Sequence, residues 1–381
     1  MNTTKPMQHT SVLIIGAGPA GLAMAGRLRQ HGISFEVIEK SRHVGNAWRE
    51  HYDRLRLHTV KEYSQLPGMP FPSYYPRYVS RQMLVDYFDS YAKEFDIRPH
   101  FGEEASAIEP AAEGWAVHTA SGKAFLAKHV VIATGVNRVP VRPSFPGESQ
   151  FQGQVLHSRQ YKNYRPFCNQ RVLVVGMGNT GAEIALDLSE NDINPYLSVR
   201  GPVNIVPRDF LGNPTQRTAF TLAKLPTWLG DWIGAQVQWL AFGNLRRYGL
   251  EKPDMPPARQ LRETGKTPVI DLGTVDQIKA GKIKVVPEIE SFTKKGVRCK
   301  GGKELKVDTV ILATGYRAQL EDLLPFTDEF FNAECLPNDC IGTGKYEGLY
   351  FLGFDNYQPG GILGIIFRDS EKIANKIVEG R

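Results

Sequence analysis

The hydrophobic pattern along the chain repeats one order of elements twice: a buried strand, a helix and a second strand. Apolar runs at 12–15 and 171–175 are typical of buried parallel strands, and each is followed by glycine-spaced residues and helical periodicity. The helices and closing strands predicted in this way are Leu22–His31 with Phe35–Ile38, and Ala182–Glu190 with Tyr196–Val199. Strands that alternate with helices predict the α/β class.

Other stretches predict the elements around these repeats. Residues 81–94 carry an amphipathic helical pattern, and residues 101–121 alternate between polar and apolar side chains as the strands of a meander do. Near the end of the chain, Leu349–Leu352 is predicted as a strand, and a helix is predicted from about Gly361.

In each of the two repeats, the turn after the first strand carries the spacing G-x-G-x-x-G. Its first glycine permits a tight strand-to-helix turn, the second lets a pyrophosphate lie against the backbone, and the third lets the helix pack closely on the strand. The helix that follows offers unpaired N–H groups to phosphates. The predicted phosphate-binding residues are Gly16, Ala17, Gly18, Pro19, Ala20 and Gly21 in one loop and Gly176, Met177, Gly178, Asn179, Thr180 and Gly181 in the other.

The two repeats end on residues of opposite charge. About 20 residues after each last glycine, the first closes on Glu39 and the second on Arg200. A carboxylate accepts hydrogen bonds from ribose hydroxyls and repels a 2′-phosphate, which suits FAD or NAD. A guanidinium pairs bidentately with a 2′-phosphate. The sequence therefore predicts two Rossmann-like dinucleotide-binding domains, of which the second takes NADPH.

Two Ala-Thr-Gly segments follow apolar strands and suggest how these domains are connected. Small residues there let another backbone or a cofactor come close, and the two segments are predicted where the chain leaves and re-enters the first domain. We predict a discontinuous FAD domain at 1–160 and 305–381, with an NADPH domain at 161–304 inserted into it and a helical insert at about 210–250. The segments consist of Ala133, Thr134 and Gly135, and of Ala313, Thr314 and Gly315.

Composition narrows the class of protein. The chain has 381 residues, is 41% hydrophobic and 23% charged, and carries a net charge of +6. No cluster of Lys and Arg interleaved with aromatic residues points to nucleic acid, and no metal site is predicted. The four cysteines lack zinc-type spacing and suit a reducing cytoplasm. Asp231 within 225–244 argues against a membrane span, so packed helices or a cover over a substrate channel are expected there, with attachment to a membrane surface as the less favoured alternative.

The motifs resemble those of the flavin-containing monooxygenases, class B, and most closely those of the plant YUCCA type. The most specific is F-x-G-x-x-x-H-x-x-x-Y at 151–161. The others are GAGPAGLA, GMGNTG, LATGY at 312–316, YDRLRLH at 52–58, VPRDFLG at 206–212, GKTPVIDLGTVDQIKAGKIKV at 265–285 and GGILG at 360–364. The resemblance covers nearly the whole chain.

The resemblance implies an enzyme in which NADPH reduces FAD, O2 adds at flavin C4a, and the peroxyflavin transfers one oxygen atom to a small organic substrate. The YUCCA type decarboxylates an aryl α-keto acid such as indole-3-pyruvate, whereas the mammalian branch oxygenates soft nitrogen or sulfur. Members of the mammalian branch carry an Asn near the flavin, and the matching stretch 52–61 of this chain has no Asn. This absence favours a keto acid as the substrate, and N- or S-oxygenation is the alternative. A homodimer is compatible with the sequence.

Site residues follow from the same resemblance. FAD contacts are expected from Glu39, Lys40, Trp48 and His58, with Ala105 as a further cofactor contact. NADPH contacts are expected from residues 176–181 and Arg200. The candidate catalytic residues are Asn179, His58 and Gln358, although a lone histidine such as His58 is more often a packing residue. The His157 motif is expected to shape the linker between the domains, and the helix from about Gly361 to point its N-terminus at the flavin.

Two other functions share the layout of two dinucleotide sites. A flavin disulfide reductase needs a redox pair of cysteines, and Cys335 and Cys340 have a C-x-x-x-x-C spacing, although in a late loop. A non-catalytic redox-binding protein is the other alternative, and two complete cofactor sites argue against it.

Overall fold

Residues 7–324, 328–355, 357–358 and 360–380 are described by a computed structural model of the chain. The strands are β1 (Gln8–Ile15), β2 (Phe35–Glu39), β3 (His100–Phe101), β4 (Ala105–Ala111), β5 (Gly114–Thr119), β6 (Ala124–Ile132), β7 (Val139–Pro140), β8 (Gln154–His157), β9 (Val172–Val175), β10 (Tyr196–Ser198), β11 (Ile205–Pro207), β12 (Asp209–Phe210), β13 (Asn213–Pro214), β14 (Val269–Asp271), β15 (Lys284–Val286), β16 (Ile289–Thr293), β17 (Gly296–Cys299), β18 (Glu304–Lys306), β19 (Thr309–Leu312), β20 (Tyr316–Arg317) and β21 (Leu349–Phe351). The helices are α1 (Pro19–Gln30), α2 (Asn46–Arg49), α3 (Arg81–Glu94), α4 (Asn179–Glu190), α5 (Thr215–Leu222), α6 (Thr227–Phe242), α7 (Pro257–Thr264), α8 (Thr274–Lys279) and α9 (Gly361–Glu379).

The described residues form two compact units. The first unit takes its residues from Met1–Glu50, Thr59–Val139 and Tyr316–Arg381. The second unit takes its residues from His51–His58 and Pro140–Gly315. Each unit contains one of the two glycine loops.

The first unit is built on a sheet in which β3, β2, β1 and β6 lie side by side and parallel. One end of β6 also pairs in parallel with β21, while its other end continues into an antiparallel meander with β5 and β4. Ile15 of β1 is in register with both Ile38 and Ile132, so the carboxyl ends of these three strands meet at one edge. Ligands of open α/β sheets bind at that edge.

Small residues let α1 pack closely on its neighbours. A Cβ on Gly26 would lie 2.0 Å from the hydroxyl of Tyr91 in α3, so no larger side chain fits there without displacing that ring. The Tyr91 hydroxyl donates a hydrogen bond to the Pro67 carbonyl at 2.7 Å. On another side of α1, the Arg27 guanidinium lies 5.0 Å from the centre of the Phe367 ring in α9. Helix α1 is thereby held against both α3 and α9.

The second unit has a parallel sheet in the order β15, β10, β9, β19, β8. Its core extends onto an antiparallel sheet of β16, β17 and β18, where Val297 and Leu305 are buried with Leu173 and Val310. Helix α4 follows β9 and is buried along most of its length, which agrees with the Ala- and Leu-rich sequence of that helix.

A helical region follows β10 and β11 in the second unit. The predicted insert at about 210–250 contains α5 and α6, and β11 pairs in parallel with β14 beyond it. The Gln238 side chain of α6 donates a hydrogen bond to the Ile205 carbonyl at 2.9 Å, which ties the insert to β11. None of the helices in the described part of the chain combines the length and apolar character needed to span a bilayer.

The α/β class and the two strand–helix–strand repeats are confirmed. The compact units, however, divide the chain at 140 and 315, whereas the domain boundaries were predicted at 160 and 305. The difference arises because β8 and β19 are neighbours in the second sheet, so both flanks of the middle region belong to that sheet. Residues 51–58 also belong to the second unit, which the sequence did not indicate. The assignment of one cofactor to each unit stays a prediction.

Candidate functional site

The first glycine loop is closed on one side and open on the other. Gly16 has φ of +107°, and a Cβ there would lie 2.7 Å from the Ala133 carbonyl oxygen. A Cβ on Gly21 would lie 1.8 Å from the Gly16 carbonyl oxygen. Around Gly18, in contrast, no atom lies within 4 Å of the Cβ position. Packing therefore requires glycine at positions 16 and 21, whereas Gly18 leaves open space beside the backbone.

The amino end of α1 faces that open space without a side-chain cap. Gly18 is the N-cap, Pro19 follows in the first turn, and no acidic side chain lies in that turn. Ala20 is buried. The first-turn N–H groups therefore have no side-chain partner, which leaves them to a phosphate.

Glu39 ends β2 and is fixed by backbone N–H groups. Its Oε2 accepts from the Ala17 N–H at 2.7 Å and its Oε1 accepts from the Ser41 N–H at 2.8 Å. These bonds hold the carboxylate beside the glycine loop with lone pairs left for further donors. The Lys40 ammonium lies 3.7 Å from the Glu104 carboxylate, and its contact with FAD stays a prediction.

The loop after β2 returns to the glycine loop. The Gly45 N–H donates to the Ala17 carbonyl at 2.8 Å. Trp48 follows in α2 and meets the Phe88 ring edge to face, with ring centres 6.3 Å apart. The structure thus brings the 44–48 segment next to the first phosphate loop.

The Ala-Thr-Gly segment after β6 lies against Gly16. The Ala133 N–H donates to the Ile15 carbonyl at 2.9 Å, so the segment extends the sheet edge. The Thr134 hydroxyl is buried and has no hydrogen-bond partner among the described residues. Gly135 has φ of +78°. Ala105 begins β4 and is buried in the core of this unit.

The amino end of α9 is also uncapped. Gly360 is its N-cap, and a Cβ on Gly361 would lie 2.6 Å from the Thr59 side chain. Gln358, a candidate catalytic residue, precedes this helix. Its amide donates to Asp355 at 2.9 Å and accepts from Arg368 at 2.8 Å. Both ends of the Gln358 side chain are therefore occupied in this structure.

The second glycine loop repeats the geometry of the first. Gly176 has φ of +102° and would place a Cβ 2.6 Å from the Ala313 carbonyl oxygen. A Cβ on Gly181 would lie 1.9 Å from the Gly176 carbonyl oxygen, and no atom lies within 4 Å of the position on Gly178. Helix α4 begins at Asn179 with neither a side-chain cap nor an acidic residue in its first turn.

Asn179 connects this loop to β14. Its side-chain oxygen accepts from the Ile270 N–H at 2.7 Å, and its amide lies 3.4 Å from the Pro268 carbonyl. Both groups of the amide therefore face protein, and Asn179 fixes the start of α4 beside that strand. Thr180 follows it in α4, and Met177 is buried in the loop.

Arg200 lies just beyond β10 on the same sheet edge. Its side chain is exposed, and it makes no ion pair or hydrogen bond within the described part of the chain. Of the second Ala-Thr-Gly segment, Ala313 contacts Gly176, and the Thr314 hydroxyl donates to the Val141 carbonyl at 2.5 Å. Gly315 has φ of +86°.

Residues 51–58 pack onto α4 through a buried carboxylate. Glu183 of α4 is 3% exposed. It accepts from the Tyr52 hydroxyl at 2.8 Å and lies 3.2 Å from Nε2 of His58. The Arg54 guanidinium lies 3.9 Å from the same carboxylate and donates to Glu190 at 2.8 Å. His58, predicted to contact FAD, thus lies in the second unit, and its contact with FAD stays a prediction.

Sequence reasoning missed this network. The sequence shows only that Glu183, Asp187 and Glu190 share one face of a helix, at spacings of four and three residues. Burial raises the pKa of Asp187, which accepts from the Tyr161 hydroxyl at 2.5 Å. Acidic side chains on a helix face are usually exposed, so nothing in the sequence alone marked these as buried.

The F-x-G-x-x-x-H-x-x-x-Y motif lies within the second unit. Gly153 has no room for a side chain, because a Cβ would lie 2.3 Å from the Asp308 carbonyl and 2.4 Å from the Phe151 ring. Nδ1 of His157 accepts from the Arg159 N–H at 3.2 Å, and its Nε2 lies 3.2 Å from the Gly315 carbonyl. The motif therefore fastens the end of the second Ala-Thr-Gly segment to β8.

Both loops fit the phosphates of a dinucleotide. Each offers uncapped helix N–H groups beside a glycine with open space. The first adds an orphaned Thr134 hydroxyl and a carboxylate that suits ribose, and the second adds an unpaired guanidinium at Arg200. No three His, Cys, Asp or Glu side chains are arranged to hold a metal ion in the described ranges.

Three comparisons place the chain among known proteins. Residues 13–206 match the model of the pyridine nucleotide-disulphide oxidoreductase family. A probable indole-3-pyruvate monooxygenase, YUCCA9 of Arabidopsis thaliana, is 39% identical over 353 residues, which cover 90% of this chain and 83% of that protein. The indole-3-pyruvate monooxygenase YUCCA1 of Oryza sativa subsp. japonica is 40% identical, covering 90% of this chain and 86% of that protein. The structure of a flavin-containing monooxygenase from Stenotrophomonas maltophilia superposes with a TM-score of 0.73 at 20% identity, covering 98% and 99% of the two chains.

Proposed function

Since the chain belongs to the YUCCA-like flavin monooxygenases, within the pyridine nucleotide-disulphide oxidoreductase family, we propose that it decarboxylates an aryl α-keto acid such as indole-3-pyruvate. The enzyme is an FAD-containing monooxygenase that uses NADPH and O2 and acts on an organic substrate. The observation that supports the keto acid is the 39–40% identity, over most of the chain, with relatives named for indole-3-pyruvate.

The proposed reaction balances without a further reactant. One α-keto acid, one O2, one NADPH and one proton give the carboxylic acid with one carbon fewer, CO2, water and NADP+. The chemistry that FAD supplies when bound is the passage of electrons from NADPH to O2 and the transfer of one oxygen atom. The protein has to hold both dinucleotides, exclude water from the reacting atoms and orient the keto acid.

The first loop is proposed to hold FAD. The amino end of α1 would neutralise the pyrophosphate, and Glu39 would accept the ribose hydroxyls, oriented by its bonds to the Ala17 and Ser41 N–H groups. The Thr134 hydroxyl, which is buried without a partner, would gain one from the cofactor. The uncapped amino end of α9 suits the electron-rich edge of the flavin.

The second loop is proposed to hold NADPH. The amino end of helix α4 would bind the pyrophosphate. Arg200 is exposed and unpaired, so its guanidinium is available to pair with a 2′-phosphate. We propose that Asn179 serves by positioning, since its amide holds the loop against β14. Nε2 of His58 lies 3.2 Å from the Glu183 carboxylate, so this side chain is held against α4.

The disulfide reductase alternative is disfavoured by the thiols themselves. Burial raises the pKa of Cys340 to about 12, with the Asp369 and Asp339 carboxylates adding to the shift. A redox-active cysteine needs the opposite, a lowered pKa that maintains the thiolate. Cys335 is half-buried and remains a free thiol.

The experiment that tests the proposed function follows NADPH oxidation and O2 uptake with different substrates. Indole-3-pyruvate and phenylpyruvate are compared with an amine and a thioether, and CO2 release and product mass are measured. We expect coupled turnover only with the keto acids. Turnover that yields an N- or S-oxide without CO2 would replace the keto acid by a soft nucleophile. A cytoplasmic enzyme that forms a homodimer is also proposed, and light scattering during gel filtration tests the dimer.

A further inference from the structure

Helix α6 and the residue before it present several large apolar side chains to solvent. Trp228 is 71% exposed, Trp232 59% and Trp239 62%. Leu240 in the last turn of α6 and Leu225 just before the helix are also exposed, at 64% and 36%. Spacings of four and seven residues keep the three indoles on one side of the helix. We refer to these five residues as the tryptophan face.

The helix beneath this face is firmly attached. Gly230, Gln238 and Phe242 are buried, and a Cβ on Gly230 would lie 3.0 Å from the Leu222 carbonyl of α5. Asp231 pairs with Arg262 of α7 at 2.8 Å. The tryptophan face is therefore a surface of an ordered element. The sequence led us to expect packed helices here, and α6 is packed against the protein at its buried positions.

The helical region that carries this face has a positive net charge. Residues 211–250 contain four basic and one acidic side chain, a net charge of +3 in a chain whose total is +6. The basic residues at the two ends of the helical region, Lys224 before α6 and Arg246 and Arg247 after it, are exposed. The single acid, Asp231, is neutralised by its ion pair and has a side chain only 13% exposed.

From these observations we propose that the tryptophan face binds the surface of a bilayer that contains anionic lipid. Tryptophan favours the boundary between headgroups and acyl chains, because its ring is apolar and its N–H is polar. Lys and Arg beside it are attracted to anionic headgroups. A helix of 16 residues is about 24 Å long, too short to span the hydrocarbon core, so it lies in the plane of the surface.

The charge beside the tryptophan face favours a bilayer over a second copy of the chain as its binding partner. In a symmetric pair formed through this face, Lys224, Arg246 and Arg247 of both copies would approach one another, and like charges disfavour that contact. Anionic lipid neutralises the same residues. The proposal goes beyond the catalytic function and does not depend on which substrate is oxygenated.

The first test is co-sedimentation of the full-length, FAD-loaded protein with vesicles. We expect binding to vesicles of phosphatidylcholine mixed with phosphatidylglycerol, weaker binding to phosphatidylcholine alone, and release by salt. Changing Trp228→Ser, Trp232→Ser and Trp239→Ser together should weaken binding at least about tenfold, since three large apolar side chains no longer leave water. Tyr74→Ser is the matched control, because Tyr74 is 78% exposed in the first unit and should not affect binding.

Fluorescence of the unaltered protein provides a measurement that does not depend on any variant. Three of the five tryptophans lie on the tryptophan face. Their emission should shift to shorter wavelength with mixed vesicles and be quenched by brominated lipid. In the triple variant, which retains Trp48 and Trp115, the emission should not respond.

Three results would overturn the proposal. The first is that the unaltered protein neither binds vesicles nor shifts its emission. The second is that the triple variant still binds vesicles. The third is that the unaltered protein forms a dimer and does not bind vesicles, and that the triple variant no longer forms the dimer. An emission shift caused by keto acid but not by vesicles would assign the face to a substrate cover. Flavin absorbance and circular dichroism of the triple variant verify that it is folded.

Discussion

The two glycine loops share nearly the same backbone and differ in what surrounds it. Gly16 and Gly176 have φ of +107° and +102°, and their Cβ positions lie 2.7 and 2.6 Å from the carbonyl of the alanine in the facing Ala-Thr-Gly segment. The third glycines, Gly21 and Gly181, are equally tight against the first, at 1.8 and 1.9 Å. One backbone geometry, the one expected of a pyrophosphate-binding loop, thus occurs twice in a single chain.

The differences between the loops lie in side chains. Glu39 is held by two backbone N–H groups, whereas Arg200 is exposed and unpaired. The Thr314 hydroxyl donates to Val141, whereas the Thr134 hydroxyl has no partner. We therefore expect the backbone of each loop to bind phosphate and the side chains beside the loop to select the dinucleotide.

The largest effect is expected from filling one loop at a time. Gly21→Ala places a methyl group 1.8 Å from a backbone oxygen, so the loop must move, and we expect the protein to be purified without FAD. Gly181→Ala should retain FAD and lose its reduction by NADPH. The flavin spectrum and its anaerobic bleaching measure both outcomes.

Gly234→Ala serves as the control for these variants. Gly234 lies within α6 with no atom inside 4 Å of its Cβ position, so alanine should be tolerated and the helix slightly stabilised. If Gly21→Ala abolished the response to NADPH while keeping FAD, the assignment of the two loops would have to be reversed.

The next effect concerns coenzyme choice. Arg200→Ser should raise the KM for NADPH about 30-fold, equivalent to ~2 kcal/mol, because a charge-assisted pair to the 2′-phosphate is lost. The KM for NADH should change little. Steady-state rates with both coenzymes measure the ratio, and a parallel rise for NADH would mean that Arg200 only supports the loop. Arg208→Ser is the matched control, since Arg208 already pairs with Asp209.

A smaller effect is expected at the two threonines. Thr314→Val leaves the Val141 carbonyl without its donor and should lower the free energy of unfolding by about 1–2 kcal/mol. Thr134→Val removes a hydroxyl that has no partner, so the FAD-free protein should be as stable as before or more so, while FAD binding weakens. Urea unfolding of FAD-free protein and FAD titration separate the two. Equal destabilisation of the FAD-free protein by both substitutions would contradict the view that only the Thr314 hydroxyl is hydrogen-bonded within the protein.

The smallest effect is on acid stability. Burial lowers the pKa of His157 in the second unit and of His129 in the first below their ordinary value of 6.5. Below about pH 6.5 the unfolded chain takes up protons that the folded chain resists, so stability is complete above that pH and falls as the pH drops. Each group contributes at most ~1.4 kcal/mol per pH unit.

His157→Gln and His129→Gln should each reduce the loss of stability between pH 7 and pH 5, measured by urea unfolding at several pH values. The exposed His9 is the control, and His9→Gln should leave the slope unchanged. An unchanged slope in both buried variants would show that these histidines titrate alike in the folded and unfolded chain.

Local pattern was sufficient to predict most of the fold and the two loops. The helix at Arg81–Glu94, the strand beginning at Phe35 and the turns at the glycines all follow from residues close in sequence. Residues 51–58 could not be assigned to the second unit, because that depends on a buried contact between Tyr52 and Glu183, which are 131 residues apart. The β8–β19 pairing, which moves the unit boundaries, is equally distant in sequence.

The difference between local and long-range contacts also explains which site residues could be predicted from the sequence. Glu39 and Arg200 were identifiable because the glycine loop fixes their position relative to the ligand. Asn179 and Gln358 were proposed as catalytic, and their hydrogen bonds to Ile270 and Arg368 were invisible without the fold. Whether either touches a reacting atom stays a prediction.

The central claim is that each loop holds its own dinucleotide through the side chain at its border. The most direct measurement determines FAD occupancy and the apparent Kd for NADPH side by side in Glu39→Gln and Arg200→Gln. We expect Glu39→Gln to lower FAD occupancy and to leave NADPH binding to the FAD-loaded fraction intact, whereas Arg200→Gln should weaken NADPH binding alone. If Arg200→Gln depleted FAD, or if neither change altered either cofactor, the claim would be contradicted.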